Sequence, residues 1–430
     1  MKIALAHARW IGFFCWLLIL QLGVQGASVR LKNGRPASAG IATERLERID
    51  QMLQDAVEKA SIPGAVALVA RHGRIVLHRA YGMADSTAQQ PMELDSIFRI
   101  ASQTKAITST AVMMLWEEGH FQLDDPISRW IPEFEKVGVL KDYDETSGQW
   151  TSEPAKRPIT IRHLLTHTSG LGYGVIDGDP RFKEIYSSAG VIDLFTTESV
   201  TIKQSVTKLA QLPLHHHPGD RFTYSEGLDV LGYFIELISG MSFSDFLEQR
   251  IFEPLGMEDT AFYQPEHKAN RLVKVQTLQE GQWAHYPVTF YDPDYPIKGS
   301  KTFFSGGAGL SSTAKDYAIF LQMYLNGGTY NGHRILSRTT IATMMKNQTG
   351  DLFGGSEKFH GLAFGVVSEG GVAKGGLGSR GTFEWGGYFN TQYFADPAEG
   401  LIGILMKQTQ GVSEDTAWRF RQLCGQSITD

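Results

Sequence analysis

Residues 97–134 read IFRIASQTKAITSTAVMMLWEEGHFQLDDPISRWIPEF. The stretch opens on an apolar run, Ile97 to Ala101, and passes into a helical pattern that starts at Ser102 and ends near Glu118. Gly119 then stands where a left-handed residue closes a helix. Ser102 and Lys105 are three apart, so on a helix they share one face, one turn apart. The residues that follow, Ala106, Ile107, Ala111 and Val112, are small or apolar, which predicts a buried helix. A lysine on a buried face loses hydration, and that favours its neutral form. A neutral amine beside a hydroxyl can take its proton and make Ser102 a nucleophile. The helix N-terminus also favours developing negative charge. The same spacing has a plainer reading, with Ser102 as an N-cap and Lys105 in solvent. The segment alone leaves both open.

Ser-x-x-Lys recurs at Ser205–Lys208 and Ser312–Lys315. Ser205 opens a helical pattern. Ser312 follows the glycine-rich Gly306-Gly307-Ala308-Gly309-Leu310 and precedes another. Capping with a solvated lysine is the expected role of both.

Residues 43–60 carry Leu46, Ile49, Leu53 and Val57 at helical spacing, with Thr43 as N-cap and Pro63-Gly64 as the stop. Residues 65–70 and 74–82, separated by Arg71-His72-Gly73, read as a hairpin. From 124 to 295 helical patterns dominate, at 160–166, 205–211, 226–239 and 243–251, with long polar loops between them, 141–158 above all. After 300 the chain returns to glycine-punctuated apolar stretches at 361–367, 381–385, 391–396 and 400–408, with helical patterns at 313–326 and 413–424. The expected fold is α/β (α+β): an antiparallel sheet flanked by helices, built from 27–123 and 296–430. A mostly helical domain, 124–295, is inserted between them.

Composition narrows the function. Of 430 residues, 42 % are hydrophobic and 20 % charged, which excludes a disordered chain. The net charge is −6 and no basic run stands out, so no nucleic-acid partner is expected. Lys2 and Arg9 precede or flank an apolar run, Trp10 to Val24, and small residues follow it at Gly26-Ala27. That is the pattern of a secretory signal peptide over 1–26. Its removal takes away two basic residues, moving the charge from −6 to −8, and removes Cys15. Cys424 is then alone and no internal disulfide is possible. The expectation is an exported protein, periplasmic or secreted and bacterial, with no stable membrane span after cleavage.

Several common sites are missing from the sequence. There is no G-x-S-x-G, no H-E-x-x-H, no paired C-x-x-C and no Walker A motif, so no metal and no organic cofactor is expected. His215-His216-His217 are adjacent, so their side chains diverge and read as a polar loop. His167 reads as a loop-fixing hydrogen bonder, Arg380 as a surface residue, and Met113, Met114 and Trp116 as core. Tyr324-Leu-Asn326 and Tyr388-Phe-Asn390 read as a helix end and core packing.

Five blocks together carry a resemblance: 97–134 above, ITIRHLLTHTSGLGY (159–173), HPGDRFTYSEGLDVLGYFIELISG (217–240) with FLEQRIFEPLGMEDTAF (246–262), GGAGLSSTAKDYAIFLQMYLNGG (306–328) and FEWGGYFNTQYFADP (383–397). In this order they resemble the penicillin-recognising serine hydrolases: class C β-lactamases, D-alanyl-D-alanine peptidases and the esterases of β-lactamase fold. The resemblance covers nearly all of the chain after the signal segment. It implies that Ser102 is the acylated nucleophile, Lys105 its partner base and Tyr224 the tyrosine of the family's Tyr-x-Asn motif, with Lys105 and Tyr224 titrating as a coupled pair. It implies that Trp385-Gly386-Gly387 is the strand motif lining the site. The Tyr388 and Ser102 N–H groups would form the oxyanion hole.

Two departures bear on substrate. Glu226 stands where the family motif has Asn; an Asn amide can donate to a substrate and an ionised Glu cannot. A carboxylate there would hold Lys105 charged, or point away. Trp385 stands where penicillin-binding relatives carry the lysine that attracts a carboxylate; it brings apolar area and no charge. Both resemble the esterase branch. The expected activity is hydrolysis of small neutral esters, or acyl transfer to another alcohol, with Glu226, Trp385, Gly386 and Gly387 meeting the substrate. The rival readings are amide hydrolysis, as in a β-lactamase, D,D-peptidase or D-aminopeptidase, and a non-catalytic cell-wall-binding or sensor domain.

Overall fold

The computed structural model describes residues 28–430; the signal segment read at 1–26 lies outside the described residues. Helix α1 spans Thr43–Glu58, and Thr43 is its first helical residue; the N-cap position falls on Ala42, which has no side-chain cap. The expected hairpin follows as β2 (Gly64–Arg71) and β3 (Arg74–Asp85), with Lys32–Asn33 (β1) lying parallel to β3 at the sheet edge. The last third of the chain adds β4 (Lys358–His360), β5 (Gly365–Val367), β6 (Phe383–Gly387), β7 (Thr391–Asp396) and β8 (Leu401–Met406). Their order across the sheet is β1-β3-β2-β8-β7-β6-β5-β4, with Gln90–Pro91 attached to β3. Every pairing but that of β1 is antiparallel.

The centre of the sheet explains the near-continuous apolar runs. Every residue of β2 and of β8 is buried, because helices cover both faces. Side chains alternate across a strand. Ala65, Ala67, Val69, Leu401 and Leu405 therefore pack with Leu46, Ile49 and Leu53 of α1 and with Phe420 and Cys424 of the last helix. Val66, Leu68, Ala70, Ile402, Ile404 and Met406 face the other way, into the larger apolar cluster. That cluster runs on through α2 (Thr104–Glu117), α3 (Gly227–Ser239) and α4 (Ala314–Leu325) into residues such as Phe134, Phe182 and Val206. Helix α2 packs against α3 and is tied to α4, where the Tyr317 hydroxyl donates to Gln103 O and Thr110 Oγ1 meets the Tyr324 hydroxyl at 2.7 Å. The last helix, α5, is Thr416–Gln426.

Three further expectations need correction. The segment 141–158 is not a loop: Gly138–Tyr143 and Trp150–Pro154 pair as a hairpin, closed where Asp144 Oδ1 accepts from the Thr146 and Ser147 N–H groups. Most of its residues are exposed, so it carries no period-two apolar signal. The stretch 361–367 is strand only from Gly365, because Gly361 N–H turns back to Phe364 O. Ser205 and Ser312 are not the caps. Thr201 caps the helix Ile202–Leu209 and Thr313 caps α4, each sitting in extended backbone with its hydroxyl accepting from the N–H three residues on.

Among the described residues no single helix is long and apolar enough to cross a membrane. The apolar pair Gly227–Ser239 and Phe243–Leu255, bent by 81°, belongs largely to the buried core.

Candidate active site

Ser102 sits in a single 3₁₀ turn, Ala101–Gln103, between a short strand (Phe98–Arg99) and α2. Ala101 has φ 43°, in the left-handed region. A residue with a Cβ held there costs on the order of 1–2 kcal/mol. The surroundings enforce it. Ile100 N–H donates to Leu310 O at 3.0 Å, and the fully buried Arg99 is anchored on Val273 O at 2.6 Å, on Pro293 O at 2.5 Å and on the side chain of Gln408. The turn leaves the Ser102 side chain half-buried, and no side chain caps α2 there.

Lys105 is 3 % exposed. That burial excludes the reading of a solvated lysine. Its Nζ lies 3.2 Å from Ser102 Oγ and donates to Gly307 O at 2.7 Å. The rings of Tyr224 and Tyr173 flank it, with centroids at 4.6 and 5.5 Å. The amine thus meets a hydroxyl, a neutral carbonyl and two aromatic faces.

Tyr224 and Trp385 close the other side. Trp385 Nε1 donates to the Tyr224 hydroxyl at 3.3 Å, and the rings lie 5.9 Å apart. Trp385 belongs to β6, whose far end is Gly387. A Cβ on Gly387 would stand 2.5 Å from Ile100 O and 2.2 Å from Thr391 Oγ1, so only glycine lets the strand end press on the Ser102 turn. Gly386 precedes it with no comparable crowding. Asn390 N–H donates to Gly387 O at 2.9 Å. Because a trans peptide is planar, that bond also fixes the direction of the Tyr388 N–H.

The sequence reading missed what holds this turn. Asn390 has φ 68°, and its amide donates to Thr409 Oγ1 and Glu414 Oε1, both at 3.0 Å. Glu414 pairs with the fully buried Lys407, and the Gln410 amide donates to Tyr388 O. Tyr388-Phe-Asn390 is therefore not only core packing. The available signal was Asn itself, which tolerates the left-handed region.

Glu226 is 2 % exposed, at the N-cap position of α3, with its N–H on Gly172 O at 3.1 Å. Its carboxyl is buried against Asp193, with Oε1 lacking a hydrogen-bond partner. One turn on, Asp229 Oδ1 accepts from the Gly307 N–H at 3.3 Å. Burial pushes the Asp229 carboxyl up to about 6. His167, at φ 56°, is buried, and its Nδ1 accepts from the Ser225 N–H at 3.2 Å while its ring lies 4.6 Å from that of Tyr224. Burial, followed by His360 and Lys105, holds that imidazole well below its usual range and hence neutral. Arg380 pairs with Glu369 on the surface.

An aromatic wall also escaped the sequence reading. Phe195, Tyr291 and Phe389 gather with Tyr388 and Tyr286 beside Ala101. Phe353 lies 6.2 Å from Trp385 on the opposite flank. These residues come from segments far apart in the chain and share no local pattern.

The three adjacent histidines diverge. His215 stacks on Phe182 and reaches Asp177 at 3.1 Å, His216 reaches Thr223 Oγ1 at 3.0 Å, and His217 reaches Glu153 at 3.4 Å. Among the described residues no group of three or more His, Cys, Asp or Glu side chains is placed to hold a metal ion.

The Beta-lactamase family model matches residues 49–425. Esterase EstB of Burkholderia gladioli is 34 % identical over 384 residues, covering 84 % of this chain and 90 % of that esterase. A lovastatin esterase of Penicillium rubens is 28 % identical over 381 residues, covering 83 % of this chain and 91 % of its own. The solved structure of EstCE1, described as a hydrolase with promiscuous acyltransferase activity, superposes with a TM-score of 0.76 at 26 % identity, over 88 % of this chain and 98 % of its own.

Proposed function

The chain belongs to the Beta-lactamase family, and from that premise we propose that it is a serine carboxylesterase working through an acyl-enzyme on Ser102. The observation that carries the proposal is Lys105, buried and 3.2 Å from Ser102 Oγ. Lys105 and Tyr224 together take the Ser102 proton as Oγ attacks the ester carbonyl. The N–H groups of Ser102 and Tyr388 stabilise the tetrahedral oxyanion. The alcohol leaves with the proton, and water repeats the sequence to release the acid. A second alcohol in place of water makes the same cycle an acyl transfer.

Substrate choice follows from the walls. Trp385 and the aromatic residues around Tyr388 offer apolar area and no cation. A neutral ester needs no charge clamp, whereas a β-lactam or a C-terminal peptide carries a carboxylate. Similarity to EstB and to the lovastatin esterase supports the ester reading, and similarity to EstCE1 supports the transfer variant. The segment 1–26 supports export to the periplasm or medium.

The test is a paired assay of wild type and Ser102→Ala. Substrates are p-nitrophenyl acetate, butyrate and octanoate, with a chromogenic cephalosporin alongside. The proposal expects wild type to cleave the esters faster than the cephalosporin and Ser102→Ala to lose on the order of 10⁴-fold or more. Preference for the cephalosporin would move the function to amide hydrolysis. Activity retained in Ser102→Ala would remove the nucleophile.

A further inference from the structure

Behind Lys105 lie acids that the reaction above does not use. Glu226 and Asp229, on the first turn of α3, are 2 % and 4 % exposed, and Asp193, from the segment after the helix Pro180–Ser188, is 8 % exposed. The Glu226 carboxyl contacts Asp193. Glu226 Oε1, Asp229 Oδ2 and the Tyr173 hydroxyl are buried without a hydrogen-bond partner. The other titratable groups facing Glu226 are Lys105 from α2, Tyr173 from the loop after the helix Ile161–Leu165, and Tyr186 from Pro180–Ser188. Glu226 therefore faces Asp193, Asp229 and the Lys105 amine.

Two ionised carboxylates have no hydrogen to share, so their contact is a hydrogen bond only when one is protonated. The two partners are not equivalent. Asp193 already acts as an acceptor twice, from Gly174 N–H at 3.2 Å and from Val175 N–H. Glu226 receives no backbone N–H on its side chain, and its Oε1 is orphaned. The proton therefore belongs on Glu226 and points at Asp193.

We propose that Glu226 is a positioning residue that keeps its proton at working pH and donates it to Asp193, tying the 172–175 loop and the Leu194-Phe195 wall to the head of α3. This rests on the reading of Ser102, Lys105 and Tyr224 as the reacting groups. The clamp holds Tyr224, two residues earlier, against Lys105, and it keeps a further negative charge away from the amine. Burial, and then Asp193, push the Glu226 carboxyl well above its usual range. A raised carboxyl stabilises the fold fully below its unfolded value, and the contribution is lost as pH rises through the folded one. Ionisation of Glu226 then sets two carboxylates against each other and opens the clamp, so activity falls on the alkaline side.

The experiment is infrared difference spectroscopy, in H₂O and D₂O, of wild type, Glu226→Gln and Asp193→Asn at pH about 8, where Asp229 and Asp316, held at about 6, are ionised. It needs neither substrate nor Ser102, so its failure is separable from failure of the esterase reading. The expected result is a carboxylic-acid C=O stretch in wild type that disappears in Glu226→Gln and changes frequency in Asp193→Asn. No such band in wild type, or one that survives in Glu226→Gln, overturns the proposal. Kinetics supply the second readout. The alkaline limb of kcat/KM should move by at least about one pH unit in Glu226→Gln. That variant should also retain about tenfold more kcat than Glu226→Leu, which cannot bridge to Asp193. An unmoved limb, with Gln and Leu equivalent, equally overturns it.

Discussion

Ser102–Lys105 and Ser312–Lys315 are the same four-residue motif in nearly the same local setting. Ser102 follows the two-residue strand Phe98–Arg99, Ser312 ends the two-residue strand Ser311–Ser312, and each precedes a long helix; the two strands pair with each other, Ser312 opposite Phe98 and Ser311 opposite Arg99. Their fates differ in two ways. Ser312 is fully buried with its hydroxyl on Thr260 Oγ1 at 2.7 Å, and the next residue, Thr313, caps the helix. Ser102 caps nothing, because the left-handed Ala101 turns it out of line and leaves its hydroxyl for Lys105. Lys315 is exposed while Lys105 is 3 % exposed. The motif specifies a possible chemistry; burial of the lysine and a strained turn before the serine select which copy can perform it.

The largest difference between the two motifs is expected at their lysines. Lys105→Ala should lower kcat by about 10³-fold, within the range of a lost general base, while Lys315→Ala leaves ester hydrolysis within about twofold of wild type. Comparable losses from both would dissolve the distinction. Next is the strand that presses on the turn. Gly387→Ala places a Cβ against Ile100 O, and kcat should fall about 10²-fold through the displaced Tyr388 N–H while KM changes little. A rise in KM alone would mean that Gly387 shapes binding instead. The smallest effect concerns capping: Thr313→Ala should cost about 1 kcal/mol in denaturant unfolding with activity kept, whereas Ser102→Ala should cost no cap energy. Equal destabilisation by the two would make Ser102 a structural cap after all.

Much of this was legible in the sequence because it is written in local pattern. The apolar run 65–70 marked one arm of the β2–β3 hairpin, and the spacing of Leu46, Ile49 and Leu53 marked the buried face of α1. Trp385-Gly386-Gly387 fell on a strand whose end meets the Ser102 turn. The illegible parts depend on partners far away in the chain. The 138–154 hairpin is solvated on most of its length, so no alternation announces it. Helix caps slipped from Ser205 and Ser312 to threonines because the cap is decided by where the backbone becomes extended. Asn390 acquires its role only when Thr409 and Glu414 arrive beside it. Glu226 was visible as a residue type, but its burial against Asp193 depends on a segment that no local pattern links to it.

Of the three serines in Ser-x-x-Lys motifs, Ser102 alone is proposed to become the acyl carrier. A fluorophosphonate tests it by forming a Ser Oγ–phosphorus bond with loss of fluoride, followed by peptide mass spectrometry. One adduct per chain on the peptide containing Ser102, absent from Ser102→Ala and from denatured protein, is the predicted result. An adduct on the peptide containing Ser205 or Ser312 that persists in Ser102→Ala would contradict it.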